Sequence, residues 1–410
     1  MARAHIVAGL DIGTNTIKLL VAQKNKDQDE LEILDQGYEP ASGVRKGVVV
    51  SVEQVSTIIS SCIRKSEERL GLKISSVYVN VDGSHVFTTS SHGLISVSRA
   101  DQKISQEDVS RVVQNAQTFS LPSNREILNV FPREYAIDGE RGIKEPVGMQ
   151  GVRLEAEILV LGGFSPYIKN LTQAVLGADL QINDLILSPL ASARAILTEK
   201  DKELGVAVLD IGAGTSSLAV YEEGSLVHTA IFPLGSNHIT HDIAIGLMTE
   251  IEIAEQIKLE YGCCVAKKGA RKPTVRLEKI GGETLAQPVS FSRKVLTEII
   301  EARVSDILEQ TNRELRKISR VRMLPAGVIL TGGGAKMSKI TDLAKKVLKL
   351  PVRIGTPQGF FTAVEDPALA TVCGLVLIGA DSEGDEGSGL LSLTRGIGDR
   401  LKSFFKVFIP

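Results

Sequence analysis

The sequence predicts an α/β fold made of two duplicated halves, with an inserted α+β subdomain and a C-terminal amphipathic helix. Three features support this prediction: a motif that occurs twice, a run of three glycines after an apolar segment, and a final segment whose apolar residues recur at helical spacing. The chain has 410 residues, which is long enough for at least two domains with full hydrophobic cores.

The composition is that of a globular protein without a general affinity for polyanions. The net charge is -2, tryptophan is absent and aromatic residues reach only 4%, so we expect no nucleic-acid partner. Cys62, Cys263, Cys264 and Cys373 form no C-x-x-C motif, and we expect reduced thiols. The sequence has no apolar stretch long enough to span a bilayer, so any membrane contact is expected to be peripheral.

The motif that occurs twice opens each half. Residues 7–16 read V-A-G-L-D-I-G-T-N-T and residues 206–215 read V-A-V-L-D-I-G-A-G-T. Residues 7–21 align with residues 206–220, which places Asp11 opposite Asp210, and nine of the fifteen aligned positions are identical. An apolar run lies on each side of the turn, which predicts a β-hairpin. One copy alone is compatible with a plain hairpin turn, but two copies at one spacing favour a shared binding role.

These hairpin tips have the chemistry of a phosphate site. A glycine-bearing turn presents several backbone N–H groups to one anion, and an aspartate at a strand end can hold magnesium through its water shell. We therefore predict that two facing turns clamp the phosphates of one nucleotide, with Asp11 and Asp210 near the metal. The predicted phosphate-binding residues are Gly13, Thr14, Asn15, Thr16, Gly212, Ala213, Gly214 and Thr215.

A third glycine-rich segment follows the second hairpin. Residues 328–335 read V-I-L-T-G-G-G-A, a buried-strand pattern that runs into Gly332, Gly333 and Gly334, and residues 336–348 are predicted to form a helix. Consecutive glycines let a backbone approach a flat or charged ligand closely. Alone, the run is also typical of an ordinary strand-to-helix loop. After two D-I-G hairpins, it favours a third part of the same nucleotide site.

Together these segments resemble the superfamily of actin, sugar kinases and DnaK-type chaperones. Within it, several stretches resemble the bacterial cell-division FtsA family, and the resemblance extends from about residue 6 to 380. The stretches are I-L-N-V-F-P-R-E-Y-A-I-D (127–138), G-I-K-E-P-V-G-M-Q-G-V-R-L-E (142–155), I-T-H-D-I-A-I-G (239–246) and I-I-E-A-R (299–303). The resemblance implies an actin-like fold of two RNase H-like halves.

The resemblance also implies ATP and Mg²⁺ as ligands and adds residues to the site. Lys18 falls where actin has a lysine that touches the phosphates. Glu255 and Lys258 would meet the ribose hydroxyls and the adenine, although the two residues alone favour a solvent-exposed ion pair on one helix face. The three glycines, Lys336 and Met337 would contact the adenosine.

The segment that resembles the first connecting helix argues for weak catalysis. Residues 188–197 are predicted to form a helix with Ser188 as its N-cap and Pro189 at its first position. Filament-forming relatives of the MreB kind have a glutamate just before that proline, and it positions the attacking water. Because this chain has Ser188 there, we expect slow ATP hydrolysis or none that is measurable, and we assign no catalytic residue.

By the same resemblance, the chain divides into four subdomains and a tail. They are subdomain IA with the first phosphate loop (1–85, 166–203 and 355–380), inserted subdomain IC (86–165), subdomain IIA with the second phosphate loop and the adenosine loop (204–235 and 325–354), subdomain IIB on the adenine side (236–324), a flexible linker (381–394) and a membrane-targeting helix (395–410). Helices are predicted at 52–70, 106–119, 166–177 and 295–315.

The final segment has the pattern of a helix that lies on a membrane surface. It follows a linker rich in Gly, Ser, Asp and Glu, and its apolar and basic residues fall on opposite sides. The apolar residues are Ile397, Leu401, Phe404, Phe405 and Phe408, and the basic residues are Arg395, Lys402 and Lys406. A helix packed on the body of the protein is the alternative, and the flexible linker weighs against it.

What FtsA proteins do becomes the functional expectation. They polymerise, tether FtsZ filaments to the cytoplasmic face of the cell membrane at the division site, and signal to later division proteins. Subdomain IIB would receive the C-terminal peptide of FtsZ, with Arg303 as a contact. The alternatives are a PilM-like pilus-assembly protein, a sugar or acetate kinase of the same superfamily, and a filament former of the MreB kind.

Overall fold

The structure, a computed structural model, describes residues 5–24, 30–119, 121–265, 274–280, 283–318 and 324–383. Its strands are β1 (His5–Ile12), β2 (Thr16–Lys24), β3 (Leu31–Pro40), β4 (Val44–Arg45), β5 (Val48–Val49), β6 (Ser76–Val81), β7 (Phe87–Ser96), β8 (Arg125–Ile137), β9 (Glu140–Ile143), β10 (Arg153–Phe164), β11 (Gln181–Leu187), β12 (Val206–Ile211), β13 (Ser216–Glu222), β14 (Ser225–Phe232), β15 (Thr274–Ile280), β16 (Glu283–Ser292), β17 (Val328–Thr331) and β18 (Val352–Ile354). Its helices are α1 (Val52–Leu70), α2 (Gln106–Ala116), α3 (Ser165–Leu176), α4 (Ser188–Ile196), α5 (Glu199–Leu204), α6 (Ser236–Leu247), α7 (Ile251–Tyr261), α8 (Arg293–Leu315), α9 (Ile340–Leu348) and α10 (Ala370–Glu383).

Two five-stranded sheets have the same topology. Their strand orders are β3-β2-β1-β6-β11 and β14-β13-β12-β17-β18. In each order the first three strands pair with one another in antiparallel fashion. The last two strands run parallel to the third, which is β1 in one sheet and β12 in the other. The hairpins also share a register, since Asp11 pairs with Lys18 and Asp210 pairs with Ser217. The sequence repeat is therefore a structural duplication, as predicted.

A separate α+β module is inserted between β6 and β11 of the first half. Its sheet has the order β7-β10-β8-β9, and α2 packs on it through a core that includes Val112, Leu154 and Ile158. The helix begins with a capping box, in which the side chains of Ser105 and Asp108 each accept a hydrogen bond from the other's backbone N–H. This module fits the predicted α+β insertion.

Two buried helices, α4 and α10, cross between the halves. A Cβ atom on Gly374 would lie 1.8 Å from the carbonyl oxygen of Ala191, so only glycine permits this close crossing. The crossing brings Ser192 of α4 and Thr371 of α10 to the carboxylate of Asp210, which belongs to the second half. The helices therefore connect the core of the first half to the edge of the second half that carries Asp210.

Some predicted helix limits are confirmed and others are wrong. Helix α1 has the predicted limits, and α2, α3 and α8 differ from them by one to three residues. The prediction of Ser188 as an N-cap is wrong, because α4 begins at Ser188 itself and Leu187 is the N-cap. The Ser188 hydroxyl donates instead to the carbonyl oxygen of Val81 at 3.3 Å. Pro189 is consequently the second residue of the helix.

Two further predictions near the C-terminus need correction. The helix predicted for residues 336–348 is divided, because Lys339 has a φ of 65° and separates a 3-10 helix (Gly333–Lys336) from α9. The linker predicted from residue 381 starts too early, since α10 continues to Glu383 and Asp381 forms an ion pair with Arg194 at 2.8 Å.

The rest of that linker and the predicted helix 395–410 lie outside the described residues, as do the apolar and basic residues assigned to the helix. Within the part of the chain that the structure describes, the helices are too short or too polar to cross a bilayer. The limits of the subdomains stay predictions.

Candidate functional site

The two D-I-G turns are closed by the same hydrogen bond. The N–H of Gly13 donates to the carbonyl oxygen of Thr16 at 3.1 Å, and the N–H of Gly212 donates to that of Thr215 at 2.9 Å. A Cβ atom on Gly13 would lie 2.8 Å from the Thr16 oxygen, so the tight closure requires glycine there. The duplicated sequence thus forms two equivalent turns.

These turns meet directly. A Cβ atom on Gly214 would lie 2.6 Å from the Thr14 hydroxyl oxygen, which shows how closely the two turns pack. On one side of this contact, the amide of Asn237 donates to the side-chain oxygen of Asn15 at 2.9 Å. The turns therefore face one shared cleft from opposite halves, which is the arrangement predicted from the repeat.

The cleft between the halves has a volume of about 770 Å³, enough for a nucleotide. Nearly all residues predicted for the site line it, and Gly214 is the exception because it packs against Thr14 instead. The predicted residues that line the cleft are Asp11, Gly13, Thr14, Asn15, Thr16, Lys18, Asp210, Gly212, Ala213, Thr215, Glu255, Lys258, Gly332, Gly333, Gly334, Lys336 and Met337.

Charged side chains are closely paired at the phosphate end of the cleft. The amine of Lys18 lies 2.8 Å from a carboxylate oxygen of Asp11. Burial disfavours the charged amine, but Asp11 and Asp210 outweigh this effect and raise the pKa of Lys18 above its ordinary value. Burial raises the pKa of Asp210, and the nearby Asp11 adds to this shift, while a hydrogen bond from Ser192 opposes it.

The carboxylate of Asp210 is held in place on the wall of the cleft. Ser192 donates to it at 2.5 Å and Thr371 at 3.1 Å. Gly332 has a φ of 81°, and a Cβ atom there would lie 2.1 Å from the other carboxylate oxygen of Asp210. Glycine at this position therefore leaves room beside the carboxylate, which fits a hydrated cation bound between Asp210 and a phosphate.

Direct metal ligation has less support. The described residues contain no group of three or more His, Cys, Asp or Glu side chains that could hold a metal ion. Two carboxylates at strand ends suit a magnesium ion that keeps most of its water ligands and takes others from substrate phosphates. The residues present therefore fit the predicted nucleotide with its metal.

A partly buried ion pair lies on another part of the cleft wall. Lys258 lies 2.6 Å from Glu255, is only 5% exposed in its side chain, and donates to the hydroxyl of Thr240 at 2.9 Å. Burial on the cleft wall excludes the alternative of a fully exposed ion pair. Lys336, by contrast, is exposed and pairs with Asp366 at 2.8 Å.

Arg303 lies outside this cleft, on α8. Its guanidinium forms two hydrogen bonds with Asp242, at 2.6 and 3.0 Å, and one with Asp306 at 3.1 Å. The side chain is 26% exposed. It remains accessible to a partner, but its charge is already partly balanced.

Sequence analysis missed Asp82, which also lines the cleft. One carboxylate oxygen accepts a hydrogen bond from Thr215 at 2.6 Å. Burial raises the pKa of Asp82 to about 6; the hydrogen bonds from Thr215 and the Gly83 backbone oppose the shift, and Asp210 and Asp11 add to it. The sequence gives only a partial signal: Asp82 directly follows the apolar strand β6, and Asp11 and Asp210 are the last residues but one of β1 and β12.

Two family profiles match the chain. The profile described as Cell division protein FtsA matches residues 207–374, and the profile described as the SHS2 domain inserted in FTSA matches residues 83–161. The chain is 35% identical to the cell division protein FtsA of Pseudomonas aeruginosa over 383 residues, which cover 93% of this chain and 90% of that protein. It is also 35% identical to FtsA of Escherichia coli K12, with 92% and 91% of the two chains covered.

Solved structures with little sequence similarity share the fold. The PilM–PilN complex of type IV pilus biogenesis matches with a TM-score of 0.64 at 17% identity, over 91% of this chain and 98% of that one. MreB5 of Spiroplasma citri bound to ADP matches with a TM-score of 0.56 at 13% identity, over 94% and 99%. These matches and the inserted SHS2 domain confirm the predicted actin-like α/β fold.

The raised pKa of Asp82 predicts a pH-dependent effect of Asp82→Asn on stability. The folded chain holds the Asp82 proton more tightly than the unfolded chain does, so the folded state loses stability as the pH rises through about 6. The Asp82→Asn variant does not lose stability in this way, because its amide does not titrate. We expect its free energy of unfolding, relative to the unchanged protein, to rise by about 1 kcal/mol between pH 5 and 7.5 in urea titrations.

Asp179→Asn is the matched control for this measurement. Asp179 is exposed and has a φ of 59°, a conformation that asparagine also tolerates. The effect of Asp179→Asn on the free energy of unfolding should stay constant over the same pH range. A difference for Asp82→Asn that stays constant from pH 5 to 7.5 would contradict the raised pKa.

Proposed function

Because this chain belongs to the FtsA family of cell-division proteins, we propose that it binds ATP with Mg²⁺, polymerises, and tethers FtsZ filaments to the cytoplasmic face of the membrane at the division site. The observation that carries the nucleotide part is the direct contact of two duplicated turns across one cleft. Relatives that are 35% identical over nine-tenths of the chain support the division role.

In this proposal the two turns bind the phosphates through their backbone N–H groups. Lys18 adds a positive charge, and the phosphates would compete with Asp11 for it. Asp11 and Asp210 would hold magnesium through its water ligands, and the metal would balance the phosphate charge. The partly buried pair of Glu255 and Lys258 and the glycines after β17 would bind the adenosine.

The proposed membrane contact is carried by the sequence of residues 395–410. An apolar face with three phenylalanines inserts into the headgroup boundary, and each Lys or Arg near an anionic leaflet adds roughly 1 kcal/mol. Because a linker precedes this helix, it can reach the membrane while the body of the protein holds a filament.

A pilus-assembly function of the PilM type is the alternative with a specific observation in its favour, namely the TM-score of 0.64. At 17% identity this likeness concerns the fold alone. The higher identity to FtsA proteins favours cell division over this alternative, and it also favours cell division over a kinase function.

We expect Asp210→Ala to abolish nucleotide binding. The change removes the proposed metal-binding carboxylate and leaves the hydroxyls of Ser192 and Thr371 without their partner. Binding is measured by titration with a fluorescent ATP analogue in the presence of Mg²⁺, and circular dichroism shows whether the variant is folded. Asp342→Ala, at an exposed position on α9, is the control and should bind normally. Unchanged affinity of a folded Asp210→Ala protein counts against the site.

We expect the intact chain to sediment with anionic liposomes and a chain that ends at Gly389 to stay in the supernatant. The shortened chain lacks the proposed apolar and basic faces. Phe404→Glu in the intact chain should also abolish sedimentation, because it places a charge on the apolar face without shortening the protein. Equal sedimentation of all three proteins would refute a membrane role for this segment.

We expect Arg303→Ala to weaken binding of a synthetic FtsZ C-terminal peptide several-fold. The change removes a partly exposed positive charge and leaves Asp242 and Asp306 without their ion pair, so the surface becomes more acidic. Arg313→Ala, on an exposed face of the same helix, is the control. Fluorescence anisotropy measures the peptide affinity. If the protein binds no FtsZ peptide, the tethering proposal fails, and equal affinities of both variants remove Arg303 from the contact.

A further inference from the structure

The two carboxylate oxygens of Asp82 differ, because only one of them accepts a hydrogen bond. One oxygen, Oδ2, accepts the hydrogen bond from Thr215 at 2.6 Å. The other, Oδ1, is buried and has no hydrogen-bond partner among the described residues. A buried polar atom without a partner costs about 1–3 kcal/mol, and Asp82 is one of the residues that line the cleft, so its carboxylate is a candidate to contact a ligand.

Asp82 lies beside the first residue of α4. Strands β6 and β11 are parallel neighbours, and their last residues, Val81 and Leu187, are paired. The residues that follow them, Asp82 and Ser188, therefore lie side by side at the same edge of the sheet. Ser188 is the residue that replaces the water-positioning glutamate expected from the resemblance.

The Ser188 hydroxyl is already engaged and cannot replace a carboxylate. It accepts a hydrogen bond from the side-chain amide of Asn80 at 3.1 Å and donates to the carbonyl oxygen of Val81 at 3.3 Å. A hydroxyl is also a much weaker base than a carboxylate. Asp82, directly after the neighbouring strand β6, supplies the carboxylate that α4 lacks.

The loop after β4 places Asp82 beside the first phosphate turn. Gly47 has a φ of 76°, and a Cβ atom there would lie 2.8 Å from Oδ2 of Asp82. The N–H of the same glycine donates to the Thr14 hydroxyl at 3.0 Å. Asp82 therefore touches Thr215 of the second turn directly and is joined to Thr14 of the first through Gly47.

We propose that Asp82 is the catalytic carboxylate that orients the attacking water and accepts its proton when ATP is hydrolysed in this cleft. The inference rests on the proposed nucleotide site. The water oxygen forms a bond to the γ-phosphorus, and the bond from that phosphorus to the β–γ bridging oxygen breaks. The electron pair of that bond leaves with ADP. The proton of the water passes to the Asp82 carboxylate and from there to solvent.

A carboxyl group whose pKa is raised by burial suits this role, since a base with a pKa closer to the working pH takes up a proton more readily than an ordinary aspartate. The expectation of slow or unmeasurable hydrolysis rested on the lack of a water-orienting residue at Ser188. With Asp82 as the base at the neighbouring strand end, we expect measurable hydrolysis.

Asp82→Asn tests the inference, with Asp179→Asn as the surface control. Phosphate release is measured in single turnovers with excess protein, ATP and Mg²⁺, and affinities are measured for ADP and for the non-hydrolysable analogue AMPPNP. Because general-base catalysis contributes about 10²–10⁴-fold, we expect Asp82→Asn to hydrolyse ATP at least tenfold more slowly. The variant should bind AMPPNP at least as tightly as the unchanged protein, because a negative charge next to the γ-phosphate has been removed. Its ADP affinity should not change.

Three results would overturn the inference. They are hydrolysis by Asp82→Asn within twofold of the unchanged protein, no hydrolysis by the unchanged protein above the rate in buffer, and loss of AMPPNP binding by the variant. The last result would show that Asp82 is needed to bind the nucleotide. Failure of the unchanged protein to bind either ADP or AMPPNP would instead refute the proposed nucleotide site, so the two failures are distinguishable.

Discussion

The contact between the two D-I-G turns is the constraint on which the site depends. Each turn is short and closed by its own hydrogen bond, so neither turn can adjust its shape without breaking that bond. Any ligand between them must therefore be accommodated by movement of one half relative to the other. The hydrogen bond from Thr215 to Asp82 and the packing of Thr14 on Gly214 cross this boundary, which makes them the contacts such a movement would change first.

Electrostatics at the turns favour a cation. Asp11, Asp82 and Asp210 lie close enough for Asp11 and Asp210 to raise the pKa of Asp82, and Lys18 interacts with Asp11 and Asp210. Buried like charges are costly unless a counter-charge accompanies them. A divalent metal that arrives with a triphosphate supplies that counter-charge. In the proposed function, the same residues would therefore favour a metal–nucleotide pair over the nucleotide alone.

The sequence predicted what is local or repeated and missed what depends on packing across strands. The two hairpins, the strand before the glycine run (β17) and α1 follow from local apolar patterns, and the structure confirms them. The cap at Ser188 was wrong because a carbonyl of the neighbouring strand takes its hydroxyl. The role of Asp82 was missed because its significance comes from the register of β6 against β11, and no sequence motif records that register.

The duplication explains why the two halves differ at equivalent places. Leu10 pairs with Val79 in the first sheet, and its counterpart Leu209 pairs with Leu330 in the second, so the ends of β6 and β17 are structurally equivalent. In the second half this strand end continues into glycines, which leave space beside Asp210. In the first half it continues into Asp82, which fills the corresponding edge with a carboxylate. In the proposed function, divergence of this strand end would give the second half space for the nucleoside and the first half a carboxylate near the terminal phosphate.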